Sequence, residues 1–186
     1  MTKLDVVPQD EAIHFGENEI IVSKTDIKGK ITYANDVFCR VAEMQIDDMI
    51  GKPHNLIRHP DMPSAVFKLL WDNIQAGKEI FAYVKNMSRT GKYYWVIAHV
   101  TPSYDQNHQI IGFHSNRRCP SEKEITQIAP VYQRLLAEEQ KHANPKEGLA
   151  ASEALFHQIL KENDKTYSEF VWSLINDTEE GVYLSA

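Results

Sequence analysis

The chain is poor in the patterns on which enzyme and metal chemistry usually rest. Its 186 residues include two cysteines. Cys39 and Cys119 stand far apart with no C-x-x-C, so neither a disulfide framework nor a structural zinc site is indicated, and both read as ordinary buried or half-buried thiols. Eight glycines are few for a phosphate-cradling loop. A Walker loop, G-x-G-x-x-G, G-x-S-x-G and H-E-x-x-H are all missing, so the chain is not expected to be an enzyme. The longest apolar runs, such as Tyr94 to Ala98, fall far short of the roughly 20 residues a membrane span needs. The opening Met-Thr-Lys-Leu-Asp-Val lacks the apolar stretch of a signal peptide, and the expectation is a cytoplasmic protein with no direct membrane span. Twenty basic against 26 acidic residues give a net charge of −6, with no basic stripe interleaved with aromatics, which argues against nucleic-acid binding. The only basic cluster is Arg117-Arg118, which a solvated strand end explains as well as a nucleic-acid contact does.

What is present is a core. A composition 42% hydrophobic and 10% aromatic argues against disorder, and a chain of this length buries about 70% of its extended surface. Ile20 to Val22 and Lys30 to Tyr33 read as two short strands joined by Asp26-Ile27-Lys28-Gly29, a hairpin. Asn35 sits where a helix cap belongs, followed by Val37, Phe38, Val41 and Ala42 at helical spacing; Ile46, Met49 and Ile50 extend the apolar face after a break. Asp61 offers a cap to a longer helix with Pro63 in its first turn, and Val66, Leu69, Leu70, Asn73 and Ile74 trace one face until Gly77 ends it. The period then changes from helical to alternating. Ile80 to Met87, Tyr93 to Thr101 and Gln109 to Asn116 read as three antiparallel strands. The pattern predicts an α+β domain of five antiparallel strands with helices on one face.

From about residue 120 the chain is predicted helical. Ser121 to Glu124 is a capping-box pattern opening a helix that must kink or restart at Pro130. Asn144 to Gly148 reads as a linker, and Thr166 to Glu169 caps a last helix carrying Phe170, Val171, Leu174 and Ile175. The organisation expected is an N-terminal extension over 1–18, a domain over 19–118 and a helical segment over 119–186.

The polar residues concentrate in His54-Asn55-Leu56-Ile57-Arg58-His59-Pro60-Asp61-Met62-Pro63. An arginine beside a histidine, ahead of free helix amides, suits a phosphate; equally, Asp61 caps the helix, Arg58 pairs with a surface carboxylate and His59 packs beside proline.

Thr32-Tyr33-Ala34-Asn35-Asp36-Val37-Phe38, the block from Gly51 to Pro63, Val84-Lys85-Asn86 and Tyr94-Trp95-Val96 closely resemble the PAS domain of bacterial aerotaxis and energy-taxis receptors of the Aer type, over about residues 19–118. The R-H-P-D-M-P block is specific to this branch; the A-N-D and Y-W pieces occur more widely. The resemblance implies a PAS fold with strand order 2-1-5-4-3, FAD held non-covalently, and a report of redox state or oxygen-dependent electron flow to chemotaxis signalling. Carried over by motif, Arg58, His59 and Asp61 line the FAD site, Asn35 lies near it, and Asn86 on the third strand faces the cofactor. The alternative for Asn35 is an ordinary helix cap, and for Asn86 a strand-end residue bonded to the neighbouring turn. Trp71 and Trp95 are read as packing residues. No metal ligand set is implied.

Two departures stand out. Where the receptors place a tryptophan after the tripeptide ending the long helix, this chain reads Gly77-Lys78-Glu79-Ile80-Phe81. Phe81 or Tyr83 then substitutes, or the site is weaker, altered or empty. The receptors also continue into a membrane anchor and signalling coil; the resemblance here is to the separate PAS protein of bipartite systems, which implies a membrane energy-taxis receptor acting in trans. The C-terminal helices would serve a homodimer contact or the receptor surface, or pack on the sheet. The reactive cysteine of light-sensing relatives corresponds to His54, so no thiol is available for a flavin adduct. Three competing readings are a haem sensor using His54, His59, His99 or His114, a cofactor-free docking module, and, least favoured because no substrate-binding motif or nicotinamide fingerprint accompanies the flavin, a flavin-dependent enzyme.

Overall fold

The computed structural model describes residues 6–183, with side chains through Ile175. It divides into two compact units, one comprising the chain up to Pro60 together with Leu70–Cys119, the other Asp61–Leu69 together with the chain from Pro120 onward. Of the expected N-terminal extension, residues 1–5 lie outside the described residues.

The first unit is built on five strands, β1 (Ile21–Asp26), β2 (Ile31–Ala34), β3 (Ile80–Met87), β4 (Tyr93–Tyr104) and β5 (Ile110–Arg118), all antiparallel, in the order β2-β1-β5-β4-β3. Between β2 and β3 come α1 (Asp36–Val41), α2 (Ile46–Met49), a 3-10 turn over His54–Ile57 and α3 (Ser64–Gln75). Strand register assigns the two faces. Phe113 packs edge-to-face on Trp71 of α3 and Arg117 lies over the Phe38 ring of α1, so Phe113, Ser115 and Arg117 of β5 face the helices. Their cross-strand partners share that inner face: Ile21 and Ser23 on β1, Ala98 and Val100 on β4, and then Ile80, Ala82, Val84 and Asn86 on β3, with Asn86 opposite Tyr94. Ile21, Ala82, Val96 and Tyr94 are buried there with Phe38, Met49 and Ile74.

The N-terminal extension does not stand apart. Residues 9–13 run parallel to the start of β4, beyond the point where β5 pairing begins: Gln9 N donates to Gly91 O at 2.8 Å, Ile13 N to Tyr93 O at 2.7 Å, and Tyr93 N to Glu11 O at 2.9 Å. Lys92 pairs with Glu11 beside them.

In the second unit α4 (Glu122–Gln140) packs along α5 (Pro145–Glu162) and α6 (Tyr167–Tyr183). Ser121 and Glu124 form the capping box: Ser121 N donates to Glu124 Oε2 at 2.6 Å, and Glu124 N to Ser121 Oγ at 3.3 Å. α4 runs without a restart through Pro130. Asn144 to Gly148 is not a linker. Asn144 caps α5 by accepting from Lys146 N, Pro145 opens the helix at a position that needs no N–H, and the absence of a side chain at Gly148 lets the backbone pass a position where a Cβ would lie 2.6 Å from Glu139 O.

Candidate functional site on the inner sheet face

The β1–β2 hairpin positions the 3-10 turn. Gly29, at φ +75°, makes the turn and accepts at its carbonyl from His54 N at 2.9 Å; a side chain there would strike Trp71 at 2.8 Å. Ile31 N donates to Lys52 O and Gly51 N to Ile31 O, which clasp the segment leading into the turn. His54 is thereby placed with Nε2 3.2 Å from Ser23 Oγ and its ring stacked 5.8 Å from that of Phe38.

Ser23 joins His54 to Arg117, whose Nη2 donates to Ser23 Oγ at 2.6 Å. With the guanidinium donating to it, the hydroxyl keeps its own proton available for His54 Nε2 when that nitrogen is unprotonated. The electrostatics agree: burial of the ring, and then the Arg117 charge, push His54 down from its ordinary value to about 3. Arg117 itself is 2% exposed, and its guanidinium carbon lies 4.2 Å from the Phe38 ring centroid. Its Nε and Nη1, and the Tyr94 hydroxyl, are buried with no hydrogen-bond partner among the described residues. Burial pushes the Tyr94 phenol up, with the Arg117 charge opposing. Asn86 and Tyr94, at 4% and 1% exposure, complete a polar set on an otherwise apolar face.

The five residues expected at the site do not all meet here. Arg58 bridges Asn86 through the backbone at the edge of β3, so those two stand together. His59 is buried, but its ring meets Tyr93 edge-to-face at 6.3 Å, and Tyr93 alternates with Tyr94 and so belongs to the opposite face. Asn35 caps α1: its Oδ1 accepts from Phe38 N at 3.1 Å and Val22 N at 3.0 Å, and its Nδ2 donates to Ile20 O at 2.8 Å. The amide is spent on fastening α1 to β1. Asp61 is exposed in the turn ahead of α3, which begins at Ser64, and falls in the second unit. Neither Phe81 nor Tyr83 substitutes for the missing tryptophan, because alternation puts both on the outer face, where Phe81 stacks on His99 with centroids 4.2 Å apart. Ile80 takes the inner position and is buried.

Arg117 is the functional candidate that the sequence reading missed. It is no solvated strand end: Phe113 and Arg117 have the same parity on β5, and a strand that buries one turns the other inward. Among the described residues, no group of histidines, cysteines and carboxylates is placed to hold a metal ion. Among the same residues, no helix is long and apolar enough to cross a membrane.

Residues 31–117 match the family model described as the PAS fold. The five-stranded sheet and its helices have the PAS fold. The chain is 36% identical over 121 residues, 65% of its length, to the aerotaxis receptor of Escherichia coli K12, and spans 24% of that receptor. It is 25% identical over 83 residues, 45% of its length, to the nitrogen fixation regulatory protein of Klebsiella pneumoniae, spanning 17% of it. The light-state structure of the blue-light photoreceptor Aureochrome1 LOV superposes with a TM-score of 0.52 at 19% identity, covering 66% of this chain and 91% of that one, a likeness of fold.

Removing the orphaned phenol tests whether the PAS domain's polar set exists for a ligand. Tyr94→Phe is expected to raise the stability of the ligand-free protein by about 1 kcal/mol, since an unpaired buried hydroxyl disappears at constant shape, while weakening ligand binding. Urea unfolding of the ligand-free and loaded forms measures both; a loss of stability in the ligand-free form contradicts the assignment.

Proposed function

We propose that the PAS domain binds FAD non-covalently on its inner face, and that the protein is a cytoplasmic redox or oxygen sensor, not an enzyme, which reports to a chemotaxis-type receptor on another polypeptide, with a homodimer as the signalling unit. The observation that carries this reading is the set of buried polar atoms without partners, Arg117 Nε and Nη1 and Tyr94 Oη, beside Asn86 on an apolar sheet face. A flavin ring needs an apolar slot with a few donors and acceptors on its polar edge, and these residues provide that chemistry. The similarity to an aerotaxis receptor and the R-H-P-D-M-P block support the same class of ligand.

When bound, the isoalloxazine supplies a redox centre whose polar edge changes its protonation on reduction. Asn86 can answer that change, because a side-chain amide presents a donor at one end and an acceptor at the other and exchanges them by turning over. Tyr94 offers a hydroxyl from the paired position, and Arg58, tied to Asn86 through the backbone, supplies positive charge for phosphate. A difference of about 1–3 kcal/mol between two sheet arrangements suffices to bias a partner. His59, Asn35 and Asp61 act in this reading through packing, capping and the approach to α3.

The visible absorption spectrum of freshly purified protein tests the proposal. Flavin bands, with FAD released on denaturation, are the expected result. A Soret band makes the protein a haem sensor, and colourless protein that resists reconstitution makes it a docking module.

A further inference from the structure

Arg117 is held in a way that is costly unless something completes it. It sits on the central strand β5, with one nitrogen bonded to Ser23 and two others without partners, and no carboxylate pairs with it among the described residues. We infer that Arg117 is a built-in counter-charge that makes the inner-face site grip its ligand more tightly when the ligand's polar edge is negative. This rests on the flavin reading and adds to it which redox form is favoured. Uptake of two electrons and one proton leaves the isoalloxazine with one negative charge more than its oxidised form; the electrons come from an external reductant, dithionite in the test below.

The groups facing Arg117 leave its charge unneutralised. Ser23 on β1 and Ala98 on β4 are uncharged, as is Phe38 of α1. Tyr94 is held in its neutral phenol form by burial, and His54 in its neutral imidazole form by burial and by Arg117 itself. Burial pushes Arg117 down to about 10, so it keeps its proton near neutral pH. Ser23 and the Phe38 ring brace the guanidinium from two sides, so the charge is fixed before any ligand arrives.

The test is the midpoint potential of flavin in the full chain, measured by dithionite reduction against a reference dye, for the natural protein, Arg117→Lys and Arg117→Gln, with oxidised-flavin affinity measured in parallel. Arg117→Gln is expected to lose about 10- to 100-fold of the preference for reduced over oxidised flavin, a fall of about 30–60 mV for a two-electron couple, and Arg117→Lys to retain part of it. A flavin-loaded Arg117→Gln protein with an unchanged potential overturns the inference. Where the variants fail to fold or to hold flavin, the natural protein decides. Its potential should fall by about 30 mV per pH unit on the acid side of neutrality, as one proton per two electrons requires. A slope equal to the steeper one of free flavin in the same buffer overturns the inference. Natural protein that cannot be loaded with flavin overturns the flavin reading itself, and this inference with it.

Discussion

Gly112→Ala is expected to destabilise the PAS domain by about 3 kcal/mol or more, the upper end of what overpacking costs. Gly112 lies on β5, the central strand, opposite Asp26 of β1 and Ser103 of β4, and a Cβ there would lie 2.1 Å from Thr25 O. The obstacle is a backbone carbonyl between two paired strands, so it cannot turn aside as a flexible side chain would. Relief requires β1 to move off β5, and β1 carries Ser23, the residue that joins His54 to Arg117. Urea unfolding should show a lower midpoint with an unchanged slope. A variant as stable as the natural protein would mean that the two strands are not held at this spacing.

The second large effect is a dependence on pH. His54 is pushed down to about 3 in the folded chain, against an ordinary value of 6.5. Below 6.5 the unfolded chain takes up a proton that the folded chain refuses, so the stability that neutral His54 allows is fully present above 6.5 and lost as pH falls from 6.5 towards 3. The loss approaches about 1.4 kcal/mol per pH unit across that window. Carboxylates also titrate below about pH 5, so the comparison is with His54→Gln, which cannot take up this proton. The stability difference between the two proteins should narrow by about 1–2 kcal/mol between pH 6.5 and 5. A difference that stays constant across that range would show that His54 takes up the proton as readily in the folded chain as in the unfolded one.

Much of the fold was legible because hydrophobic period and turn chemistry agree. β3 runs over Ile80–Met87, as alternation predicts, and Gly77, at φ +77°, closes the region after α3. β4 runs past Thr101 through Pro102 to Tyr104, with a register shift between Ser103 and Tyr104 absorbing the irregularity. The misreading of Asn144 to Gly148 has a local cause. Asn, Pro and Gly are turn residues one by one, yet here Asn is a cap, Pro a first helical residue, and Gly a point of close approach to Glu139. The site was legible only in part. Asn86 and Arg58, both taken from the motif, stand together at the edge of β3. His59 and Asn35 are spoken for by Tyr93 and by the start of α1, contacts that depend on tertiary placement. Arg117 was hidden by the habit of reading a double arginine as surface, although only Arg118 is exposed.

In the proposed function, the unpartnered polar atoms of the inner face receive a flavin. Titration of FAD into the ligand-free chain, with thermal unfolding followed at each concentration, tests this. The prediction is a stabilisation that grows with the logarithm of FAD concentration, reaches about 2.7 kcal/mol at a hundredfold excess over the dissociation constant, and is smaller at every FAD concentration for Tyr94→Phe and for Asn86→Ala. Melting curves that do not move with FAD, or that move alike in the natural protein and both variants, would contradict it.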